Sequence, residues 1–256
     1  MILRAAALQL SAVAGEVDSN LDRLERAVEA LPPSVTLAVA PELFTTGYDL
    51  DLIARRGHEL AEPVTGPTVE RLVSMAKRAD LTLVVGFLES EGDQLYDSVA
   101  VSAAGGDPVV YRKTHLYPAE IPVLAAGDSL VVFDDTSGTR MGLMICFEHA
   151  FPEIATTLAL EGGRVLVIPS AVPTGYEHVL ALRTRARAQD NQVFAVASNM
   201  SAPFCGQSLI VDPRGEILAQ ADMGEETILA DLVLEAVSNE RAREPSLDLR
   251  RPELYR

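Results

Sequence analysis

Short apolar runs alternate with amphipathic stretches along the whole chain. The opening segment ILRAAALQL predicts a strand over residues 2–10. Next, Leu21, Leu24, Ala27, Val28 and Leu31 recur at helical spacing on one face, with Ser19 as the expected N-cap and Pro32-Pro33 as the stop. VTLAVA over residues 35–40 has the length and β-branched content of a buried strand, and Pro41 follows it. A second helix is expected from Pro67, a first-turn proline, to residue 79. LTLVVGFLE and LYDSVAVSA then read as strands, and Gly105-Gly106 and Asp107-Pro108 as turns before the strand VVYRK.

The second half repeats that order. RMGLMIC reads as a strand, residues 151–160 as a helix, RVLVIP as a strand and residues 176–191 as a helix. QVFAVAS and QSLIVD follow as strands, and a polar tail starts near Glu235. No residue-level repeat underlies the similarity, which is one of order. Two such halves imply an α/β fold of two sheets with helices on their outer faces. Nothing between Gly105 and Leu130 has the composition of a flexible linker, so residues 1–256 are expected to form one domain.

Composition narrows the function. Of 256 residues, 48% are apolar, enough for a large core, and 21 Lys+Arg against 37 Asp+Glu leave a formal net charge of −16. That balance argues against nucleic acid and against anionic membrane surfaces as partners. Two cysteines in a chain this long form no disulfide framework, which points to a reducing, cytoplasmic setting. The longest uncharged run, residues 191–211, contains Asn199, Ser201, Pro203, Gly206 and Gln207 and is no membrane span. The N-terminus loosely mimics a signal peptide, but its run is mostly alanine and is broken by Gln9, so a first core strand is the better reading.

Three residues stand where ligands usually bind in open α/β sheets, at or just beyond strand ends. Cys146 closes RMGLMIC, and the dipole of a following helix could lower its thiol pKa; a small buried hydrophobe is the plainer reading. Glu42 emerges from VTLAVA-Pro41, where a carboxylate is costly unless paired, although an ordinary first loop residue looks the same. Lys113 would share a strand face with Tyr111 and His115, joining a cation to an imidazole; a charged edge strand is the alternative.

Taken together, PELFTTGY around Glu42, YRKTHLYPAE around Lys113 and GLMICFEHAFPE around Cys146 resemble the three signature segments of the nitrilase, or carbon–nitrogen hydrolase, superfamily. ALEGGRVLVIPSA, RTRARAQDNQVFAVASN, CGQSLIVDPRG and the terminal RRPELY extend the resemblance over nearly the whole chain. It implies a four-layer αββα sandwich of two mixed sheets, usually built into homodimers or larger homo-oligomers, with residues 235–256 as a tail used in dimerisation. It implies a Glu–Lys–Cys set: Cys146 as nucleophile, Glu42 as general base and acid, Lys113 as oxyanion stabiliser, and Glu120, seven residues beyond Lys113, as a second glutamate. No cofactor or metal is expected. Tyr48, Phe147, His149 and Tyr176 are candidate pocket residues, and Cys205 is expected to be a packed thiol.

Rival constellations are weaker. A Cys–His pair with His115 or His149 is available by composition, but no segment resembles a papain-like enzyme. Cys146, His149 and Cys205 lack paired zinc-ligand spacing, and the EGG and AGG glycines match no phosphate loop. Phe151-Pro152-Glu153 and RRPELY resemble the amidase-like and carbamoylase-like branches; Glu148 stands where those branches more often have Asp. The expectation is an amidase releasing ammonia from a small linear carboxamide through a thioester. Its neighbours are a nitrilase or an N-carbamoyl amine hydrolase, and a catalytically silent scaffold is the reading from another class.

Overall fold

The computed structural model describes residues 1–103 and 106–254. Gly105 of the expected turn and Tyr255 of the RRPELY segment therefore lie outside the described residues. The first half runs β1 (Ile2–Gln9), α1 (Val17–Glu29), β2 (Leu37–Val39), α2 (Leu50–Leu60), α3 (Pro67–Ala79), β3 (Thr82–Glu91), β4 (Gln94–Ser102) and β5 (Val109–Arg112). The second runs β6 (Val132–Asp134), β7 (Arg140–Leu143), α4 (Pro152–Leu160), β8 (Val165–Ser170), α5 (Glu177–Asn191), β9 (Phe194–Asn199), β10 (Leu209–Val211), β11 (Ile217–Gln220), β12 (Glu226–Val233) and α6 (Glu235–Arg243).

Two six-stranded mixed sheets result, ordered β12-β1-β2-β3-β4-β5 and β11-β10-β9-β8-β7-β6. In each, parallel strands fill the centre and antiparallel ones the edges: β1-β2-β3 in the first, β7-β8-β9 in the second. The sheets pack face to face, so both faces of the central strands are covered, as their unbroken apolar runs require. Ala5, Ala7, Leu37, Val39 and Val84 of one sheet meet Leu143, Val165, Val167 and Val196 of the other. The alternate residues Ala6, Leu8, Ala38, Leu83 and Val85 face α1 and α3, while Leu166, Ile168 and Ala195 face α4 and α5. The layers are helix, sheet, sheet, helix.

Several boundaries differ from the sequence expectation. Helix α1 starts at Val17, so Ser19 lies inside it and caps nothing. Asn20 does the local work instead: buried, it bonds both the N–H and the C=O of Val13 at 2.8 Å and the carbonyl of Thr45 at 3.0 Å. Helix α2 falls in a stretch to which the sequence assigned no element; Asp49 caps it by accepting from the Leu52 N–H at 2.8 Å. Strand β7 stops at Leu143, three residues short of Cys146. The strand before Lys113 ends at Arg112, so the alternation that would pair Lys113 with His115 breaks down: Lys113 is buried and His115 exposed. Glu235 opens not a bare tail but α6, whose Val237 joins the core between the sheets. No helix among the described residues is long and apolar enough to cross a membrane.

Candidate active site

Glu42 is delivered by the parallel strand β2. The Pro41–Leu43 backbone crosses directly over Gly86 of β3, where an added Cβ would stand 2.4 Å from the Leu43 nitrogen and 2.6 Å from the Pro41 oxygen. Only glycine permits that approach. The Gly86 N–H donates to the Pro41 carbonyl at 3.1 Å, and Leu43 takes a positive φ of 45° to turn the chain away. The result is a glutamate with no exposure to solvent at all.

Lys113 follows β5 and is held by backbone bonds on both sides: its N–H donates to the Asp97 carbonyl at 2.9 Å, and its carbonyl accepts from Gly127 at 2.8 Å. Its ammonium bonds Glu42 Oε1, bonds Glu120 Oε1 at 2.6 Å and lies 3.2 Å from Asp97 Oδ2. Glu120 is saturated, taking Lys113 and the Tyr48 hydroxyl (2.6 Å) on Oε1 and the Tyr117 N–H (2.7 Å) on Oε2. One oxygen of each of Glu42, Asp97 and Glu120 lies within 4.8 Å of the other two, a spacing that would suit a metal ion. The cation of this nest is Lys113 itself, which touches all three.

Cys146 opens a short 3-10 turn, Cys146–Ala150, at a φ of +42°, a conformation that non-glycine residues adopt at a cost of about 1–3 kcal/mol. Glu148 holds it there. Glu148 Oε2 accepts from the Ile145 N–H at 2.7 Å, while Oε1 accepts from Tyr111 OH (2.6 Å), Thr114 N (2.8 Å) and Thr114 Oγ1 (2.6 Å). This buried carboxylate therefore ties the Cys146 turn to the segment that carries Lys113. In the sequence it shows only as an acid two residues beyond a cysteine, with no sign of these partners.

Lys113, Glu120 and Cys146 open on one cavity of about 260 Å³. That is below the roughly 300–1,000 Å³ of drug-sized sites, so the occupant is small. Tyr48, Phe147, His149 and Tyr176, the four candidates from the sequence, all line it, as do Tyr117, Phe204 and Arg183. Tyr176 sits at the mouth, 55% exposed. Arg183 is distinctive among its neighbours on α5. Arg185 donates to the Gly215 carbonyl and Arg187 pairs with Asp190 at 3.1 Å, whereas Arg183 has no hydrogen bond or ion pair among the described residues.

The electrostatics separate the two candidate bases. Burial pushes the Glu42 carboxyl above its ordinary value, against the opposing pull of Lys113. Burial, reinforced by Glu42 and opposed by Lys113, pushes the Cys146 thiol well up. A thiol held as S–H within electrostatic reach of a carboxyl of raised basicity would form a donor–acceptor pair for proton transfer. His149 is driven the other way, to about 3, by burial together with Arg183, Arg187 and Lys113. It is a neutral imidazole unsuited to stabilising a thiolate. His115 faces a different depression, its ring 4.3 Å from that of Phe151. Cys205 is fully buried near Asn199, its thiol raised to about 11, and does not line the cavity.

Asp97, like Arg183, is a site residue that the sequence reading missed. In LYDSVAVSA it is one acid in an apolar strand, a signal that would have sufficed had both faces of β4 been taken as buried.

Comparison with known proteins identifies the family. Residues 4–242 match the family model described as carbon-nitrogen hydrolase. A protein of Pseudomonas protegens named as a hydrolase in the pqqF 5′ region is 34% identical over 94% of this chain and 86% of its own. An (R)-stereoselective amidase of a Pseudomonas species is 30% identical over 91% of this chain and 86% of its own. The human omega-amidase NIT2 is 32% identical over 89% and 87%. The crystal structure of Saccharomyces cerevisiae Nit3, described as a member of branch 10 of the nitrilase superfamily, superposes with a TM-score of 0.88 at 29% identity, covering 99% of this chain and 97% of that one. The chain belongs to the carbon–nitrogen hydrolase family, on the amidase-like side of the nitrilase superfamily.

Proposed function

We propose that this protein is an amidase that cleaves the C–N bond of a small linear carboxamide, through a thioester on Cys146. The observation that carries the reading is the buried Lys113, bonded to Glu42 and Glu120 at the wall of the cavity that Cys146 also lines. Glu42 takes the thiol proton as sulfur attacks the carbonyl carbon, and the carbonyl π pair becomes an oxyanion. The Lys113 ammonium and a backbone N–H of the turn after Cys146 stabilise that charge, each such donor contributing about 3 kcal/mol. Collapse breaks the C–N bond, with the Glu42 proton passing to the departing ammonia. Water then attacks the thioester, giving its proton to Glu42, and the acid leaves as sulfur is reprotonated. The same set would serve a nitrile or a ureido substrate; the amide is preferred because the named relatives include amidases. The test is a matched panel of amides, nitriles and ureido compounds read by ammonia release, with mass spectrometry of the enzyme under turnover. Ammonia from amides together with an acyl adduct on Cys146 is expected. Silence across the whole panel would leave a scaffold role instead.

Arg183 refines the substrate. An arginine lining an otherwise largely apolar cavity, without an acid partner in a chain of net charge −16, favours an amide whose far end is a carboxylate. A charge-assisted contact of that kind is worth about 1.5–3 kcal/mol, or roughly 10- to 150-fold in affinity. Parent enzyme should therefore prefer a short amide ending in a carboxylate over its methyl-ended analogue, and Arg183→Leu should collapse that preference by at least tenfold. An unchanged ratio of kcat/KM values would remove Arg183 from substrate recognition.

A further inference from the structure

We propose that Asp97 is a positioning residue of this site that works as a neutral acid, keeping a proton on its carboxyl and donating it as a hydrogen bond to Glu42 Oε2. The inference rests on the amidase reading above and extends it to a residue outside the Glu–Lys–Cys set.

Three fully buried carboxyl groups surround one ammonium. If all three were ionised the nest would hold two uncompensated negative charges, which a buried site does not tolerate. One proton must therefore be retained, and the hydrogen bonds say where. Glu120 has donors on both oxygens and needs none. Glu42 Oε1 has Lys113, but Glu42 Oε2 has no donor among the described residues, and neither Asp97 oxygen has one. The 3.2 Å approach of Lys113 to Asp97 Oδ2 is an ion-pair distance without hydrogen-bond alignment. Asp97 thus has the weakest hold on the cation, and it has Glu42 as a neighbour. A proton on Asp97 satisfies both acids at once; two bare carboxylates in the same place would only repel.

The surroundings agree. Lys113, Glu42 and Glu120 are the charged groups acting on Asp97, and Cys146 and Tyr48 lie beyond them. The Glu89–Arg112 pair belongs to the opposite face of β4, where Ser98 donates to Glu89. Burial pushes the Asp97 carboxyl well above the usual carboxylate range, with Lys113 opposing and Glu42 and Glu120 reinforcing. The hydrogen bond from Asp97 acts on Glu42 in the opposite sense, lowering its pKa. Asp97 thereby keeps Glu42 ionised and able to take the Cys146 proton.

The experiment compares Asp97→Asn with Asp97→Ala. Asparagine keeps an uncharged donor, so it is expected to recover most of the turnover that alanine loses, with kcat within about threefold of parent and the acid limb of kcat/KM unmoved. Alanine removes the donor; Glu42 then holds its proton more tightly, and the acid limb moves up by about one pH unit while kcat falls about 10- to 100-fold. Equal damage from both variants would mean that Asp97 acts as an anion and would overturn the proposal. Difference infrared spectroscopy on ¹³C-aspartate-labelled protein, parent minus Asp97→Asn at pH 7, gives a readout that needs no turnover. A protonated-carboxyl C=O band is expected, and a carboxylate band alone overturns the assignment even if the asparagine variant is active. A chain that releases no ammonia from any substrate but shows the protonated band would refute the amidase reading and leave Asp97 as assigned.

Discussion

Cys146→Ala is expected to lower ammonia release by at least about 10⁴-fold while leaving the fold intact. The size follows from chemistry that nothing else in the cavity can replace. Glu42 is bonded to Lys113, Glu120 is saturated by three donors, and His149 is a neutral imidazole. A direct attack by water would have to form without the covalent intermediate that divides the reaction into two easier steps. The fold tolerates the change because the thiol already borders the cavity, so its loss opens no new closed void, and alanine meets the positive φ at position 146 no worse than cysteine does. A stability loss under about 1.5 kcal/mol is expected. Cys146→Ser is the sharper variant, since it preserves the shape and removes only the thiol. Residual hydrolysis above about 1% of parent in either pure protein would end the case for a cysteine nucleophile.

The second large effect belongs to Lys113→Met. Removing the ammonium leaves Glu42, Asp97 and Glu120 crowded without a cation, and breaking a buried charge cluster in this way costs about 3–5 kcal/mol. Activity is expected to fall about 10³-fold, through loss of the oxyanion donor and of the hold on Glu42. The loss of stability should also depend on pH, with a definite sign. In the parent, burial already raises Glu42 and Asp97 above their ordinary values of 4.5 and 3.8, with Lys113 opposing. Without Lys113 both rise further, so above about pH 4 the folded state binds more protons than the unfolded one. Stability then falls as pH rises. The gap between parent and variant, read from urea unfolding, should be narrow near pH 5 and widen towards pH 8. A gap that stays constant over that range would mean that Lys113 is not the counter-charge of these acids.

Much of this architecture is readable from the residues because the central strands are buried on both faces. AAALQ, VTLAVA, RVLVIP and QVFAVAS carry no competing signal. Edge elements are harder. Helix α2 buries only Ile53 and Gly57, too little to stand out as a stripe, and α6 buries only Val237. Strand β12 exposes half of its length, and its identity comes from a partner more than two hundred residues away. Glu42, Lys113 and Cys146 are visible as polar residues at strand ends, but what joins them is not. Asp97 and Glu148 act through partners on other elements, and a pairing of that kind leaves no local periodicity to read.

The pairing of β12 with β1, from Ile2 opposite Val233 to Gln9 opposite Glu226, also constrains how the molecule is made. During synthesis the first sheet lacks a border strand until residue 233 has left the ribosome, so β1 waits with one row of backbone groups unpaired. Glu42, Lys113 and Cys146 are all translated before that border strand. A premature stop before residue 226 would leave a product whose first sheet has a bare, sticky border, prone to aggregate.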